Sequence, residues 1–369
     1  MDKPETIPPT DIKGQNVIDN QVSLNELISY IWKHKILLVV TTFIVTLLSV
    51  VYAFMAEETW SSNAVIIEPQ ISNFSSYRNQ VKKYQPIFDI SQEDGTILIS
   101  KELDDLVNPS LLFQSFLSQF NSSSNKQKYL NGNNDFLKVK NTIEKNDLYE
   151  DNVRRLYTLW YKKLNAEQLT QKNLHQPLTI NASANNRDSS FNMLNEYINF
   201  VTKKSNAIAF NNLHSVVSNK KNELEQQKLI LLTQAGNRLE VEKARTKYSL
   251  NIARSAGAVK PLSNFGSDEL FSINLGSDAL SEKLNSLENI KNLSIIEPKL
   301  QQVNARLTLI TQMPIANKVE FKPFSFLQDV EKPLNRSNPK RPLIVLLGLI
   351  FGFIISVLVI TTKHAIKNK

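Results

Sequence analysis

The chain has 369 residues, no cysteine and a formal net charge of +8. Without cysteine it can form no disulfide, thiolate nucleophile or cysteine-ligated metal site, so its fold holds by packing alone. The positive balance does not mark a nucleic-acid binder, because Lys and Arg are interleaved with Asp and Glu and no cytoplasmic segment is large enough for a binding module.

The apolar residues gather in two blocks that decide the class. Ile36 to Met55 carries no formal charge, and Leu343 to Thr362 is equally apolar; each approaches the ~20 residues that cross a hydrocarbon core. The first block is read as a retained span rather than a cleaved signal, since a long polar segment precedes it and it exceeds a signal core of about 7–15 residues. Lys33 and Lys35 precede the first block, Glu57 and Glu58 follow it, and Lys363, Lys367 and Lys369 close the chain. By the bias of positive charge toward the cytoplasm, both termini are expected there. Arg336, Lys340 and Arg341 pull the other way, but long domains translocate largely regardless of charge.

In chain order, residues 1–20 hold Pro4, Pro8, Pro9 and Gly14 among polar residues and read as a disordered tail. Leu24, Leu27, Ile28 and Ile31 follow helical spacing behind a Ser23/Glu26 capping box, predicting a short amphipathic helix before the membrane. Trp32, Lys33 and Lys35 suit an interfacial anchor. After the first span, Thr59–Glu68 reads as a strand that ends at Pro69, and Leu178–Ala182 as another. Ser110–Phe120 and Asp147–Leu164 have helical spacing, with the polar run Asn121–Asn134 as a separator.

No glycine or proline interrupts Asp188–Ala235, and with Gly236 tolerated one helix is predicted over about 188–256, roughly 100 Å long. Its far half, Asn219–Lys247, is crowded with Lys, Glu, Gln and Arg, so it is expected to line a seam between copies of the chain. Gly257, Pro261 and Gly266 break that helix. Leu280–Leu309 is then predicted to return along it as the second arm of a helical hairpin. Val319–Phe326 is a last strand candidate, placing the two ends of the domain in one sheet.

The expected class is therefore an α+β membrane protein: two transmembrane helices flank a periplasmic domain with a membrane-proximal mixed α/β base and a very long protruding helical hairpin. Its divisions are a cytoplasmic tail (1–35), a first span (36–55), the external domain (56–341), a second span (342–362) and a cytoplasmic tail (363–369). Gly348 and Gly352 form a GxxxG pair that would let helices approach closely in lipid. Pro333, Pro339 and Pro342 stiffen the entry to the second span, with Pro342 suited to its first turn.

Chemistry is hard to find. His34, His175, His214 and His364 are the only histidines, and the expected topology separates them into two pairs, so no metal or other cofactor is expected. Asp104 with Asp105, or Glu144 with Asp147, Glu150 and Asp151, could supply an acid and a base, but they read as solvated charge runs. Nucleophile-elbow and phosphate-loop motifs are missing from the sequence. The chain is not expected to be an enzyme.

Several segments together resemble the Wzz chain-length determinants, which are class 1 polysaccharide co-polymerases, and among them the FepE-like branch that gives very long O-antigen. They are VSLNELISYIWKHK before the first span, ETWSSNAVIIEP after it, YSLNIARSAG, SINLGSDALSEKL, and KPLNRSNPKRP before the second span. By position, Trp60, Ser61, Ala64 and Pro69 match the family's first strand. Leu275, Gly276, Ala279 and Leu280 match the segment after the long helix, and Pro333, Pro339 and Lys340 the proline-rich entry. Val330 stands where related sequences often place proline, and Asn338 with Pro342 also departs from the pattern.

The resemblance implies a non-catalytic inner-membrane protein that assembles into a bell-shaped homo-oligomeric ring, an octamer by family resemblance. Such a protein sets the modal length of O-antigen made by the Wzy polymerase, with the lipid-linked glycan as a further partner. The runner-up is a co-polymerase for capsular or other exported polysaccharide, although its tyrosine cluster and nucleotide loop are missing from this sequence. A receptor would need an output domain after the second span, where seven residues follow.

Overall fold

The computed structural model describes residues 32–92, 94–145, 148–168, 177–261, 270–315 and 319–367. They fall into two compact units, one of residues up to 61, 184–187 and 333 onward, the other of residues 62–183 and 188–332. The amphipathic helix expected before the first span lies outside the described residues, as do His175 and Asp147.

Helix α1 spans Lys35–Met55. In an apolar surround hydroxyls need partners, and three of them turn back on the helix: Thr41 Oγ1 donates to Leu37 O at 2.9 Å, Thr46 Oγ1 to Thr42 O at 2.8 Å and Ser49 Oγ to Thr46 O at 2.9 Å, whereas the buried Thr42 Oγ1 has no hydrogen-bond partner. The chain leaves the helix at Ala56, which is extended.

Strand β1, Trp60–Ile67, buries Ser62, Ala64 and Ile66 in alternation, as a half-covered strand must. Beyond it come α2 (Ser75–Lys82), α3 (Gln85–Phe88) and a two-strand hairpin of β2 (Ile90–Ser91) and β3 (Ile97–Leu98). Helix α4, Pro109–Asn121, starts where Asn108 accepts from the amides of Ser110 and Leu111, satisfying two orphan donors of its first turn. The polar run Asn121–Asn134 is not a separator. It holds α5, Ser123–Leu130, capped by Ser122, and Asn133 caps α6, Asn134–Asn141. Side-chain caps, together with Tyr129 and Leu130 buried in the core, outweigh the polar composition.

Helix α7 covers Tyr149–Lys163, and Leu164, expected at its end, already begins β4 (Leu164–Gln168). Lys126 of α5 is buried with Nζ donating to Leu164 O at 2.8 Å and Tyr161 O at 3.3 Å, so its ammonium sits at the C-terminal end of α7, where Tyr161 O also accepts from Leu164 N and a cation is favoured. Burial pushes its ammonium pKa down. Strand β5, Leu178–Ala184, pairs antiparallel with β4 from Leu164 opposite Ala182 to Gln168 opposite Leu178.

Helix α8 is continuous over Arg187–Ser255, 69 residues. Helices α9, Gly276–Glu288, and α10, Lys299–Gln312, return along it. The single return helix expected over Leu280–Leu309 is interrupted at 289–298, where a short 3-10 turn at Leu293–Ile295 precedes Pro298. Proline lacks the amide and its ring clashes with the preceding turn, so the helix restarts after it. The strand expected over Val319–Phe326 is also shorter: only β6, Ser325–Gln328, pairs, antiparallel to β1. Phe321 and Phe324 are both buried and the chain bends at 323–324, so the segment before β6 packs by its rings instead of joining the ladder. The sheet order is β4-β5-β1-β6. Helix α11, Arg341–Lys367, closes the chain.

Two buried clusters fill the second unit. In one, Phe113, Phe116, Phe120 and Phe136 pack with Trp160, the sheet and the first turns of α8. In the other, Phe74, Tyr77, Tyr84 and Phe88 pack on the middle of α8 together with Val303 and Ile310 of α10. Buried phenols find carbonyls: Tyr77 donates to Ala209 O at 3.0 Å and Tyr197 to Phe120 O at 2.6 Å.

Burial raises the pKa of Tyr77, Tyr129 and Tyr197 above the ordinary 10.0. Unfolded tyrosines ionise first, so this stabilisation is complete below about pH 10 and is lost as pH climbs toward the folded values. Tyrosinate absorbance and circular dichroism should therefore change together in one alkaline transition above that pH; smooth ionisation without loss of ellipticity would contradict the burial. A methyl group at Gly236 of α8 would meet nothing within 4 Å. Gly236→Ala should thus raise stability by about 0.5–1 kcal/mol in thermal unfolding.

Candidate functional site

Two assemblies contain most of the residues singled out from sequence. The first is the pairing of α1 with α11. These helices run antiparallel, with Arg341 Nε donating to Ala53 O at 3.2 Å near one end and Ser356 Oγ to Leu38 O at 3.3 Å toward the other. Among the described residues of α11 the buried positions are Gly348, Gly352, Ser356 and Ile360, spaced by four along one face. A Cβ at Gly348 would collide with the Ser49 side chain, and one at Gly352 would lie 3.0 Å from Thr42 O and 3.2 Å from Val45 Cβ. Both glycines are therefore occupied within the chain, where small residues let backbones approach.

A polar clasp joins the same helices. Glu58 Oε1 accepts from Arg336 Nη1 at 2.6 Å and Arg341 Nη2 at 2.9 Å, and the Arg341 guanidinium lies 4.4 Å from the Phe54 ring centroid. Thr59 N donates to Asn338 O at 2.9 Å, and Ser337 N returns to Thr59 O at 2.8 Å. Trp60, Ser61, Pro333 and Pro339 are half-buried beside this bridge, Lys340 is exposed, and Pro342 sits in the first turn of α11, where no amide is required. The arginines were visible in the sequence only as charges. Their shared carboxylate was not, because Glu58 and Arg336 lie far apart along the chain.

The second assembly joins the end of α8 to α9. Gly276 has φ +73°, and a Cβ there would lie 2.6 Å from Val259 O and Lys260 C. That close approach lets Ser277 N donate to Ala258 O at 2.8 Å, so loop carbonyls cap α9. Leu280 then packs with Leu250, Ala253 and Ala258, while Leu275 and Ala279 are exposed. Ion pairs continue the contact: Lys283 with Glu242 at 2.6 Å, and Arg238 with the buried Glu297 at 2.6 Å. Ala64 and Pro69 belong to neither assembly; both are buried, in and just after β1.

The acidic candidates have structural surroundings. Asp104 pairs with Lys82 at 3.5 Å, and Glu150 and Asp151 occupy the first turn of α7, where the helix dipole favours negative charge. Glu144 is exposed. His34 precedes α1, and His214 lies on α8.

Residues 20–139 match the family model for Wzz, chain length determinant protein. That stretch is a Wzz family domain. Along nearly its whole length it is also similar to the protein FepE of Escherichia coli K12, named a ferric enterobactin transport protein, with 21% identity over 95% of this chain and 91% of that one. The chain length determinant protein of Shigella dysenteriae is 20% identical over 97% of each. Among solved structures, a full-length bacterial polysaccharide co-polymerase superposes with a TM-score of 0.66 at 19% identity, over 94% of this chain and 99% of that one. The fold is thus the Wzz co-polymerase fold, with α8 as its long helix and two terminal apolar helices, α1 and α11, long enough to cross a membrane.

In this cysteine-free chain, Val45→Cys combined with Gly352→Cys should form a disulfide within the protomer under mild oxidation, because the positions lie near the Cβ separation of about 3.5–4.5 Å that such a bond requires. A dimer on a denaturing gel would show instead that α11 faces another chain. Gly276→Ala should cost about 1–3 kcal/mol through its positive φ and backbone clash. Hydrogen exchange should quicken over 250–258 and 276–284 while α4 and α5 keep their protection.

Proposed function

We propose that this chain is a chain-length regulator for an exported polysaccharide, O-antigen by its similarity to the Wzz family, acting as a non-catalytic scaffold for the Wzy polymerase in the bacterial inner membrane. The observation that carries the reading is the 69-residue helix α8. Its far half is too long and too exposed to be covered by its own chain. Ile230, Val241, Tyr248 and Ile252 are exposed there and follow one another by 11, 7 and 4 residues, which places them on one helix face. Such a stripe suits a neighbouring copy, and repetition of one heterologous contact closes a ring. Eight copies is the number the family resemblance suggests.

Both termini would be cytoplasmic, and the domain between α1 and α11 periplasmic. Lys33 and Lys35 lead into α1, and Lys363 and Lys367 end α11, in keeping with positive charge on the cytoplasmic side. Arg336 and Arg341, the charges that oppose this orientation, are engaged with Glu58. With both glycines of α11 turned toward α1, the polymerase would be met by the broad outer faces of the hairpin, where Phe43, Leu47, Phe351 and Phe353 are exposed. The very-long-chain behaviour of FepE-like proteins is the expected mode.

Deleting the gene should replace a modal lipopolysaccharide ladder by a random, short-weighted one on a silver-stained gel, and the native gene should restore the mode. An unchanged ladder would remove this function. Tyr248→Glu with Ile252→Glu should break the large species seen by native mass measurement in nanodiscs into smaller ones, since burying unpaired charge at a seam is strongly unfavourable, and should also lose the mode.

A further inference from the structure

One face of α8 carries a long polar groove that none of the length-control argument uses. Two cavities of about 630 and 550 Å³ share Lys203, Asn206 and Glu320, and a third of about 370 Å³ continues the first at His214. Together they follow α8 from Asn199 to Lys221, roughly 33 Å at 1.5 Å per residue. The opposite wall is formed by Met313 and Ile315 beside the smallest cavity and by residues 319–322 beside the two larger ones.

The groove is built rather than incidental. Lys322 N donates to Asn73 O at 3.0 Å and Ser76 Oγ to Glu320 O at 3.4 Å, pinning the wall. Beneath it, Tyr77 stacks on Phe321 at 4.7 Å between ring centroids and meets Phe210 edge-on at 5.3 Å. Asn73 Oδ1 accepts from Gln70 N at 2.9 Å and Ser325 Oγ at 2.5 Å, so the amide is oriented with its Nδ2 still able to donate. Asn206 is 92% buried at the junction of the two larger cavities, and its Oδ1 has no hydrogen-bond partner. An unsatisfied amide oxygen at such a depth costs free energy that a ligand hydroxyl would recover.

The lining names the ligand class. Amides of Asn73, Asn199, Asn206 and Asn211 alternate with the hydroxyls of Ser72 and Thr202, donors and acceptors that match vicinal hydroxyls. A peptide helix would need exposed apolar anchors at helical spacing, and here Phe210 and Phe321 are buried in the floor. Lys203, Lys221 and Lys322 outnumber Glu320 along the groove, which favours sugars bearing carboxylates.

We propose that this groove binds several consecutive sugar residues of a polysaccharide, held by the asparagine amides with Asn206 Oδ1 as a buried acceptor. The proposal rests on the length-control reading for its choice of glycan: the polymer whose length is regulated would lie along α8, and occupancy of the groove would report chain growth to the scaffold.

The test uses the full chain in nanodiscs and, as probe, polysaccharide freed from the producing strain's own lipopolysaccharide by mild acid. The native chain should bind it, and the surface variant Asn199→Ala/Lys203→Ala/Asn211→Ala should lose about tenfold or more in affinity, as for several lost hydrogen bonds, with mass and circular dichroism unchanged. Failure of the native chain to bind, or equal binding by the variant, overturns the proposal. A single cysteine, Asn211→Cys, should react with maleimide in the assembled protein and be protected by the polysaccharide; if it is unreactive before polysaccharide is added, a neighbouring copy fills the groove and the proposal falls. In cells, a ladder unaffected by gene deletion defeats the length-control reading itself. A mode lost on deletion but restored in full by the triple variant defeats the groove alone.

Discussion

Everything in the second unit depends on covering one helix that cannot cover itself. At 69 residues, α8 is about six times longer than an average helix, and a helix within a protein gains most of its stability from packing rather than from propensity. Cover arrives in thirds. The sheet and the phenylalanines of α4 and α6 pack on its first turns, the aromatics of α2 and α3 with α10 on its middle, and α9 on its last turns. Between the middle and the last cover, Leu229 and Ile230 stay exposed. Stability is therefore unevenly spread, high beside the sheet and dependent on a few leucines and ion pairs at the far end.

The helical pair α1 and α11 obeys a different rule. In lipid, apolar contact gives no advantage over the solvent, so association rests on close backbone approach and hydrogen bonds. Gly348, Gly352 and Ser356 supply the first, and the Ser356 and Arg341 contacts to α1 carbonyls supply the second. Glu58 with its two arginines then fixes where the chain leaves one helix and enters the other. The apolar side chains, which dominate the composition of both helices, point outward.

These two designs meet in the proposed function. A regulator without catalysis needs a persistent surface more than a reactive group. The described residues contain no cluster of three or more metal-ligating side chains; of the acidic candidates, Asp104 lies in an ion pair and Asp105, Glu150 and Asp151 in first turns of helices. What the second unit offers instead is a helix with an apolar stripe on its far half and a rigid, amide-lined groove on its near half.

Much of this could be read from the residues. The uninterrupted run from Asp188, the breaks after Ser255, the two apolar blocks and the alternation through Ala64 and Ile66 determine α8, the spans and β1, because local periodicity and glycine or proline placement act within a few residues. The caps at Ser122 and Asn133 and the break before Pro298 are local as well, but a polar composition and a sustained apolar spacing mask them in the sequence; what distance in sequence conceals is that Phe321 and Phe324 would pack as rings instead of extending a strand. Tertiary structure alone brought Glu58 to Arg336, turned the GxxxG face inward onto Ser49 and Thr42, and opened a groove between α8 and a segment a hundred residues later. Contacts of that range are chosen by packing and hydrogen-bond satisfaction across the whole fold, which no local pattern encodes.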